Sequence, residues 1–243
     1  YPIEAVNTNI LGVQNVINAA SLGGVKRVIY TSSDKAVNPF NVMGTSKLMG
    51  EQLMKAANLD SDDQIFTSTR FGNVLGSRGS VVPIFVDQIK KGGPVTLTSS
   101  QMTRFVMTID DAIELLLEGA SIAKGGEIFV TKMNAVRVLD LAEVMIRKLA
   151  PRFDRDPSTI EIIEVGERPG EKLFEELINA EEVRRTLELD RHFVILPALT
   201  NLYRERAEEY PGIRSNLIEH PYNSNRSKHL SKVELSNYLD KIL

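Results

Sequence analysis

Residues 25–47 read VKRVIYTSSDKAVNPFNVMGTSK. Val25, Val28, Ile29 and Tyr30 make a short, β-branched apolar run, the composition of a buried parallel strand. The run ends in three hydroxyl residues, Thr31, Ser32 and Ser33, and an acid and a base follow at once, Asp34 and Lys35. A helix is predicted from Gly44, with Lys47 in its first turn. Open α/β sheets bind their ligands at the carboxyl ends of strands. Hydroxyl, carboxyl and ammonium groups are therefore delivered together where such folds do chemistry, and proton transfer needs that mixture. On spacing alone, a strand, a polar turn and a surface helix account for the same residues, because Ser, Thr, Asp, Asn and Pro are ordinary turn formers.

Working outward, Val6, Ile10, Val13, Val16 and Ile17 recur at helical spacing and predict an amphipathic helix over 4–20, closed by Gly23-Gly24. Downstream, helices are predicted over 44–57, 81–91, 110–120 (capped by Thr108), 139–149 and 180–187. Strands are predicted over 64–70, 95–97, 127–130 and 160–165. This alternation predicts an α/β fold: a doubly wound parallel sheet whose second half is present, with a smaller α/β substrate lobe. Residues 1–75 read as that half-sheet, 76–200 as a mixed region with substrate-lobe elements, and 201–243 as a polar extension. Within the extension, 210–229 reads as peripheral.

The 243 residues are 42% hydrophobic and 25% charged, ordinary for a globular protein. A net charge of −3 without a long basic run argues against nucleic acid as a partner. The absence of cysteine excludes disulfides, thiolate metal sites and a cysteine nucleophile, and fits a reducing cytoplasm. No apolar stretch reaches the ~20 residues of a membrane span. His192, His220 and His229 do not pair at ligand spacing, so no metal site is expected. No glycine-rich dinucleotide turn follows a strand, and the chain opens directly into a helix. The expectation is that the phosphate-binding half of a dinucleotide fold precedes residue 1.

Five motifs occur in order: Asn9-x-x-Gly12; Ser32-Ser33-Asp34-Lys35-Ala36-Val37-Asn38-Pro39; Arg70-Phe71-Gly72-Asn73-Val74; Met102-Thr103-Arg104-Phe105; and Arg168-Pro169-Gly170-Glu171-Lys172. With them the chain resembles the extended short-chain dehydrogenase/reductase family. More closely it is similar to the polysaccharide-biosynthesis type of 4,6-dehydratase that acts on UDP-N-acetylglucosamine. One position departs. The family's YxxxK reads Met43-Gly44-Thr45-Ser46-Lys47, and a thioether has no proton to exchange. Either activity is lost, or the chain belongs to the subgroup of these dehydratases with Met at that place. The presence of Ser33, Asp34 and Lys35 favours the subgroup.

The resemblance implies an internal redox cycle in which carbon 4 of the sugar is oxidised, water is eliminated across carbons 5 and 6, and carbon 6 is reduced. It makes Lys35 the base at carbon 5 and Asp34 the acid for the leaving hydroxyl. That requires a neutral Lys and a protonated Asp, against reference values of about 10.4 and about 3.9. The resemblance therefore expects an enclosed pair, since only burial favours those forms and lets the two groups swap a proton. The alternative is a surface ion pair worth under ~1 kcal/mol. Ser33 either bonds the 4-hydroxyl or caps its own backbone. Lys47 bonds the nicotinamide ribose, or is an exposed helix lysine. Met43 shares its helix face and packs on sugar or nicotinamide, or else in the core. Ser32, Phe71 and Asn9 border the cofactor by the same resemblance, with Asn9 bonding backbone near the central strand. Arg104 and Arg168 clamp the diphosphate, joined by Asn73 and, more weakly, Arg78, while Glu171 accepts from the uridine ribose. The implied cofactor is NAD or NADP, the partner a UDP-sugar, and the assembly a homo-oligomer. The rival readings are a UDP-sugar 4-epimerase and a non-catalytic nucleotide-sugar- or NAD-binding module, the latter favoured by Met43.

Overall fold

The computed structural model describes residues 1–77, 80–166, 170–198, 210–215 and 218–241. In chain order the helices are α1 (Pro2–Val6), α2 (Gly12–Leu22), α3 (Val42–Leu59), α4 (Val81–Lys91), α5 (Ile109–Ile122), α6 (Val138–Leu149) and α7 (Lys232–Leu239). The strands are β1 (Arg27–Ser33), β2 (Ile65–Phe71), β3 (Asn73–Val74), β4 (Val95–Leu97), β5 (Thr103–Met107), β6 (Ile128–Thr131) and β7 (Asn134–Arg137). They continue with β8 (Ile162–Glu164), β9 (Glu176–Ile178), β10 (Thr186–Leu189), β11 (His192–Ile195), β12 (Ile213–Ser215) and β13 (Tyr222–Asn223). The chain divides into two units. The first holds Tyr1–Phe71, Ile113–Lys132 and Glu176–Tyr222; the second holds Gly72–Ala112, Met133–Glu175 and Asn223–Leu243.

The first unit is built on a six-stranded sheet, ordered β1-β2-β6-β11-β10-β12. β1, β2 and β6 run parallel, in a register that sets Ser32 beside Arg70 and Ser33 beside Phe71. From β6 onward the pairing is antiparallel. Among the described residues β1 is the outermost strand of this sheet and its side chains are only partly covered, whereas β2 carries the fully enclosed run Phe66–Arg70. The strand expected to be buried over residues 25–31 is only partly covered here, and the enclosed one is its neighbour β2. α2 and α3 pack Ile17, Ala20 and Met54 onto Phe66, with Val28 and Tyr30 at the margin. Each fully buried side chain of this size contributes ~1.5–3 kcal/mol.

Two expectations change. The helix predicted over 180–187 is a 3-10 turn, Glu182–Arg185, running into β10. Thr186, Leu187 and Leu189 are buried, and pairing with β11 and β12 outweighs the local helical preference. Nor is the tail wholly peripheral. Tyr210 is buried edge-on against Phe129, and α7 carries Leu235 and Leu239 into the core of the second unit.

That second core also holds Phe85 and Ile89 of α4 and Leu141 and Met145 of α6. Beside it run a three-stranded sheet, β3-β5-β7, and the parallel pair β4-β8. Among the described residues no helix is long and apolar enough to cross a membrane.

Candidate active site

At the carboxyl end of β1 the backbone turns sharply. Ser33 is still extended, and its Oγ accepts from the Lys35 N–H at 3.0 Å, capping a 3-10 turn over Asp34–Ala36. The backbone-capping role considered for Ser33 is the one its oxygen plays here. Ala36 and Val37 are buried and anchor the turn. The turn also rotates Asp34 inward, leaving its side chain 6% exposed, while that of Lys35 stays 50% exposed. Lys35 Nζ lies 3.1 Å from Asp34 Oδ1 and 3.4 Å from Oδ2. Sequence neighbours thus become a lopsided pair, an enclosed carboxylate under an accessible ammonium. Downstream, Asn38 takes a left-handed conformation, φ 43°, which its short polar side chain tolerates. Its Nδ2 donates to Glu176 Oε2 at 2.6 Å.

α3 starts against this turn. Asn41 caps it, accepting from the Gly44 N–H at 3.0 Å. A Cβ on Gly44 would stand 2.2 Å from the Lys35 carbonyl oxygen, so only glycine permits this approach. Met43 is exposed in the first turn and is not a core residue. Its sulfur lies 3.6 Å from Asn9 Nδ2, which also donates to Ser46 Oγ at 2.9 Å. Asn9 therefore holds helix side chains, not the strand backbone expected of it. Lys47 reaches back to β1: its Nζ donates to the Thr31 carbonyl at 3.1 Å and stands 5.0 Å from the centre of the Tyr30 ring. Burial lowers the Lys47 pKa from the ordinary lysine value. Burial, with the nearby Glu51 charge, pushes the Tyr30 phenol up to about 12. Tyr30 is thus a poor substitute for the base that Met43 does not supply.

Sequence reasoning missed the buried ionic network beside the turn. Arg70 on β2 is fully enclosed. Its Nε and Nη2 each donate to Glu51 at 2.8 Å, and its Nη1 and Nη2 donate to Glu182 at 2.9 and 2.8 Å. Ser32 Oγ donates to Glu51 Oε1 at 2.6 Å, so this hydroxyl faces the network. Phe71, at the end of β2, is partly covered. The available signal was an arginine inside the strand run IFTSTRF, since a buried guanidinium requires acidic partners.

In the second unit, three of the predicted substrate residues line one cavity. It has a volume of about 340 Å3 and brings Asn73, Arg104 and Glu171 together over apolar walls that include Phe85, Leu97 and Met102. Arg104 is tied to main-chain carbonyls, donating to Thr103 at 2.8 Å, Lys172 at 2.9 Å and Leu173 at 3.2 Å. Its guanidinium also lies 3.5 Å from Glu175 and 3.9 Å from Glu171. Asn73 donates to Glu175 at 2.6 Å, and Glu171 accepts from Thr98 Oγ1 at 3.2 Å. Glu175, not singled out from sequence, orients Asn73 and also takes the Phe105 N–H at 2.8 Å. Arg78 and Arg168 lie outside the described residues.

Residues 1–197 match the family described as polysaccharide biosynthesis protein. The chain is 47% identical, over 99% of its length and 69% of the relative's, to an uncharacterized membrane protein of Methanocaldococcus jannaschii. It is 42% identical to the capsular polysaccharide biosynthesis protein CapD of Staphylococcus aureus, covering 93% of the chain but 36% of CapD. It is also 42% identical to a UDP-glucose 4-epimerase of Rickettsia bellii, covering 80% of the chain and 56% of that enzyme. The chain thus spans about a third of CapD and little more than half of the epimerase. Among solved structures, Pen from Bacillus thuringiensis superposes with a TM-score of 0.87 at 40% identity, over 99% of this chain and 70% of Pen. The dTDP-glucose 4,6-dehydratase DesIV of Streptomyces venezuelae, solved with NAD, matches with a TM-score of 0.59 at 20% identity, over 69% of this chain and 56% of DesIV. It shares the Rossmann-type fold.

Proposed function

The chain belongs to the polysaccharide biosynthesis protein family, and from that we propose that it carries the acid–base centre and substrate lobe of a nucleotide-sugar 4,6-dehydratase. The substrate in this reading is UDP-N-acetylglucosamine and the product a UDP-4-keto-6-deoxy sugar. The observation that carries it is the Asp34–Lys35 pair at the end of a parallel strand, a buried carboxyl 3.1 Å from an accessible amine. Eliminating water across carbons 5 and 6 needs a base at one carbon and an acid at the other. Two groups in contact, between which a proton can pass, supply both.

The donors at the strand end suit the ribose of a nicotinamide dinucleotide. Lys47 presents an ammonium held by the Thr31 carbonyl, and burial favours its losing a proton to a neighbour. Bound NAD, as in the DesIV structure, would supply a reversible hydride acceptor. Lys35 withdraws the carbon 5 proton from the accessible side, and Asp34 protonates the departing carbon 6 hydroxyl. Ser33, whose oxygen is fixed by the Lys35 N–H, would relay the 4-hydroxyl proton to solvent as hydride leaves carbon 4, balancing the proton that Asp34 gives the departing hydroxyl. Met43 offers an exposed, polarisable surface for the sugar or the nicotinamide. In the second unit, Glu171 receives ribose hydroxyls while Arg104 and Asn73 face the diphosphate.

A second reading is a UDP-sugar 4-epimerase, favoured by the 42% identity to the Rickettsia bellii protein. Epimerisation at carbon 4 leaves the Asp34–Lys35 pair without a task at carbons 5 and 6. NMR of the product from UDP-N-acetylglucosamine decides. The dehydratase converts the carbon 6 hydroxymethyl to a methyl group. A retained hydroxymethyl with inverted carbon 4 establishes the epimerase.

A further inference from the structure

We propose that Glu51 is a positioning residue whose carboxylate locks the strand that delivers Asp34 to the helix that delivers Lys47. The inference rests on the acid–base reading above. Glu51 is fully buried. It sits one helical turn beyond Lys47 on the same face of α3. Its Oε1 accepts from Ser32 Oγ at 2.6 Å, and Ser32 lies two residues before Asp34 on β1. Its two oxygens also take a paired, fork-like set of bonds from Arg70, at 2.8 Å each. Arg70 is the register neighbour of Ser32 across the β1–β2 ladder. One carboxylate therefore grips two adjacent strands and the helix at the level of the reactive turn.

Arg70 is itself immobilised from the other side by Glu182 and by the Leu177 carbonyl at 2.8 Å. Both carboxylates raise its pKa above the ordinary arginine value, so the anchor stays charged. Apolar packing of Met54 on Phe66 holds α3 against the sheet, but such contacts are non-directional. The Ser32–Glu51–Arg70 bonds are directional and charge-assisted, and they fix the register of helix against strand. A displacement of ~1 Å between reacting groups can cost on the order of a hundredfold in rate.

The test is Ser32→Ala in the full-length protein. This change removes one hydroxyl and leaves Arg70 with both carboxylates, so the fold survives. We expect kcat for UDP-N-acetylglucosamine to fall about tenfold or more with KM within about twofold. Independently of any substrate, the NMR titration midpoint of isotope-labelled Lys47 should rise toward the ordinary lysine value as its packing loosens. Glu51→Gln, in which Glu182 still neutralises Arg70, should lower kcat in the same way, again with KM within about twofold. Wild-type kcat together with an unmoved Lys47 midpoint in Ser32→Ala overturns the proposal, even if the variant melts earlier. If the wild-type protein makes no 4-keto product, the acid–base reading fails, and the Lys47 midpoint alone decides the positioning role.

Discussion

Asp34 and Lys35 are chemically opposite neighbours that a single 3-10 turn places in different surroundings. The carboxylate is enclosed and the ammonium is half in solvent, an asymmetry matching a donor that protonates one leaving group and a base that must reach a carbon. Lys35→Ala should lower 4-keto product formation by ~10²–10⁴-fold while nucleotide binding persists, because general acid–base catalysis supplies a factor of that size. Retained turnover would remove Lys35 from the reaction. At this scale the placement of Ser33, Asp34, Lys35 and Lys47 was readable, because all four lie within one turn and the helix it abuts. The Arg70 network was not, since Glu182 stands 112 residues away along the chain and only folding brings it to the guanidinium. Asn73 and Arg104 were picked out singly, but Glu175, which contacts both, carried no local signal.

Among the elements, the start of α3 matters most to the reactive turn. Helix propensity alone favours alanine over glycine by ~0.5–1 kcal/mol. At Gly44 the added carbon would meet the Lys35 carbonyl at 2.2 Å and Pro39 Cβ at 2.9 Å, both held by backbone or ring. Overpacking of this kind costs ~1–3 kcal/mol, so the net effect of Gly44→Ala is destabilising. Chemical denaturation should show the loss, and turnover of the folded fraction should fall as well, because the displaced atom belongs to Lys35. A Gly44→Ala protein of wild-type stability would contradict the close approach of turn and helix. The other elements repeat the lesson. Long amphipathic segments such as α2 and α6 were predicted from their periodicity. β5, β7 and α7 were not, because their four to eight residues are too short for a clear period, and β10 took a strand partner that no local pattern announces.

At the scale of the whole molecule, the fold encloses several ionisable groups. His192 is buried between Phe129 and Glu118, and desolvation lowers its pKa. The unfolded chain then binds a proton over a pH range where the folded chain does not. Stability from this residue therefore rises with pH, from the depressed folded value up to about 6.5. Glu127, pushed up by burial, tilts the curve the opposite way, so the comparison of interest is a difference between variant and wild type. Thermal melts at about pH 5 and about pH 7.5 should show a smaller spread in His192→Leu than in wild type. An unchanged spread would mean the imidazole is hydrated in the folded state. The α/β class was readable in the alternation of strands and helices. The antiparallel continuation of the sheet beyond β6 was not, because which strand lies beside which is settled by long-range pairing.

On the proposed chemistry, the Asp34–Lys35 pair exchanges the proton on carbon 5 during loss of the carbon 6 hydroxyl. The most direct measurement is turnover of UDP-N-acetylglucosamine in deuterium oxide, read by NMR and mass spectrometry. The wild-type protein should give a 6-deoxy product with one deuteron at carbon 5, and Lys35→Ala should lose product and label together by ~10²–10⁴-fold. A product that keeps its carbon 6 oxygen and carries no deuterium at carbon 5 would contradict that chemistry.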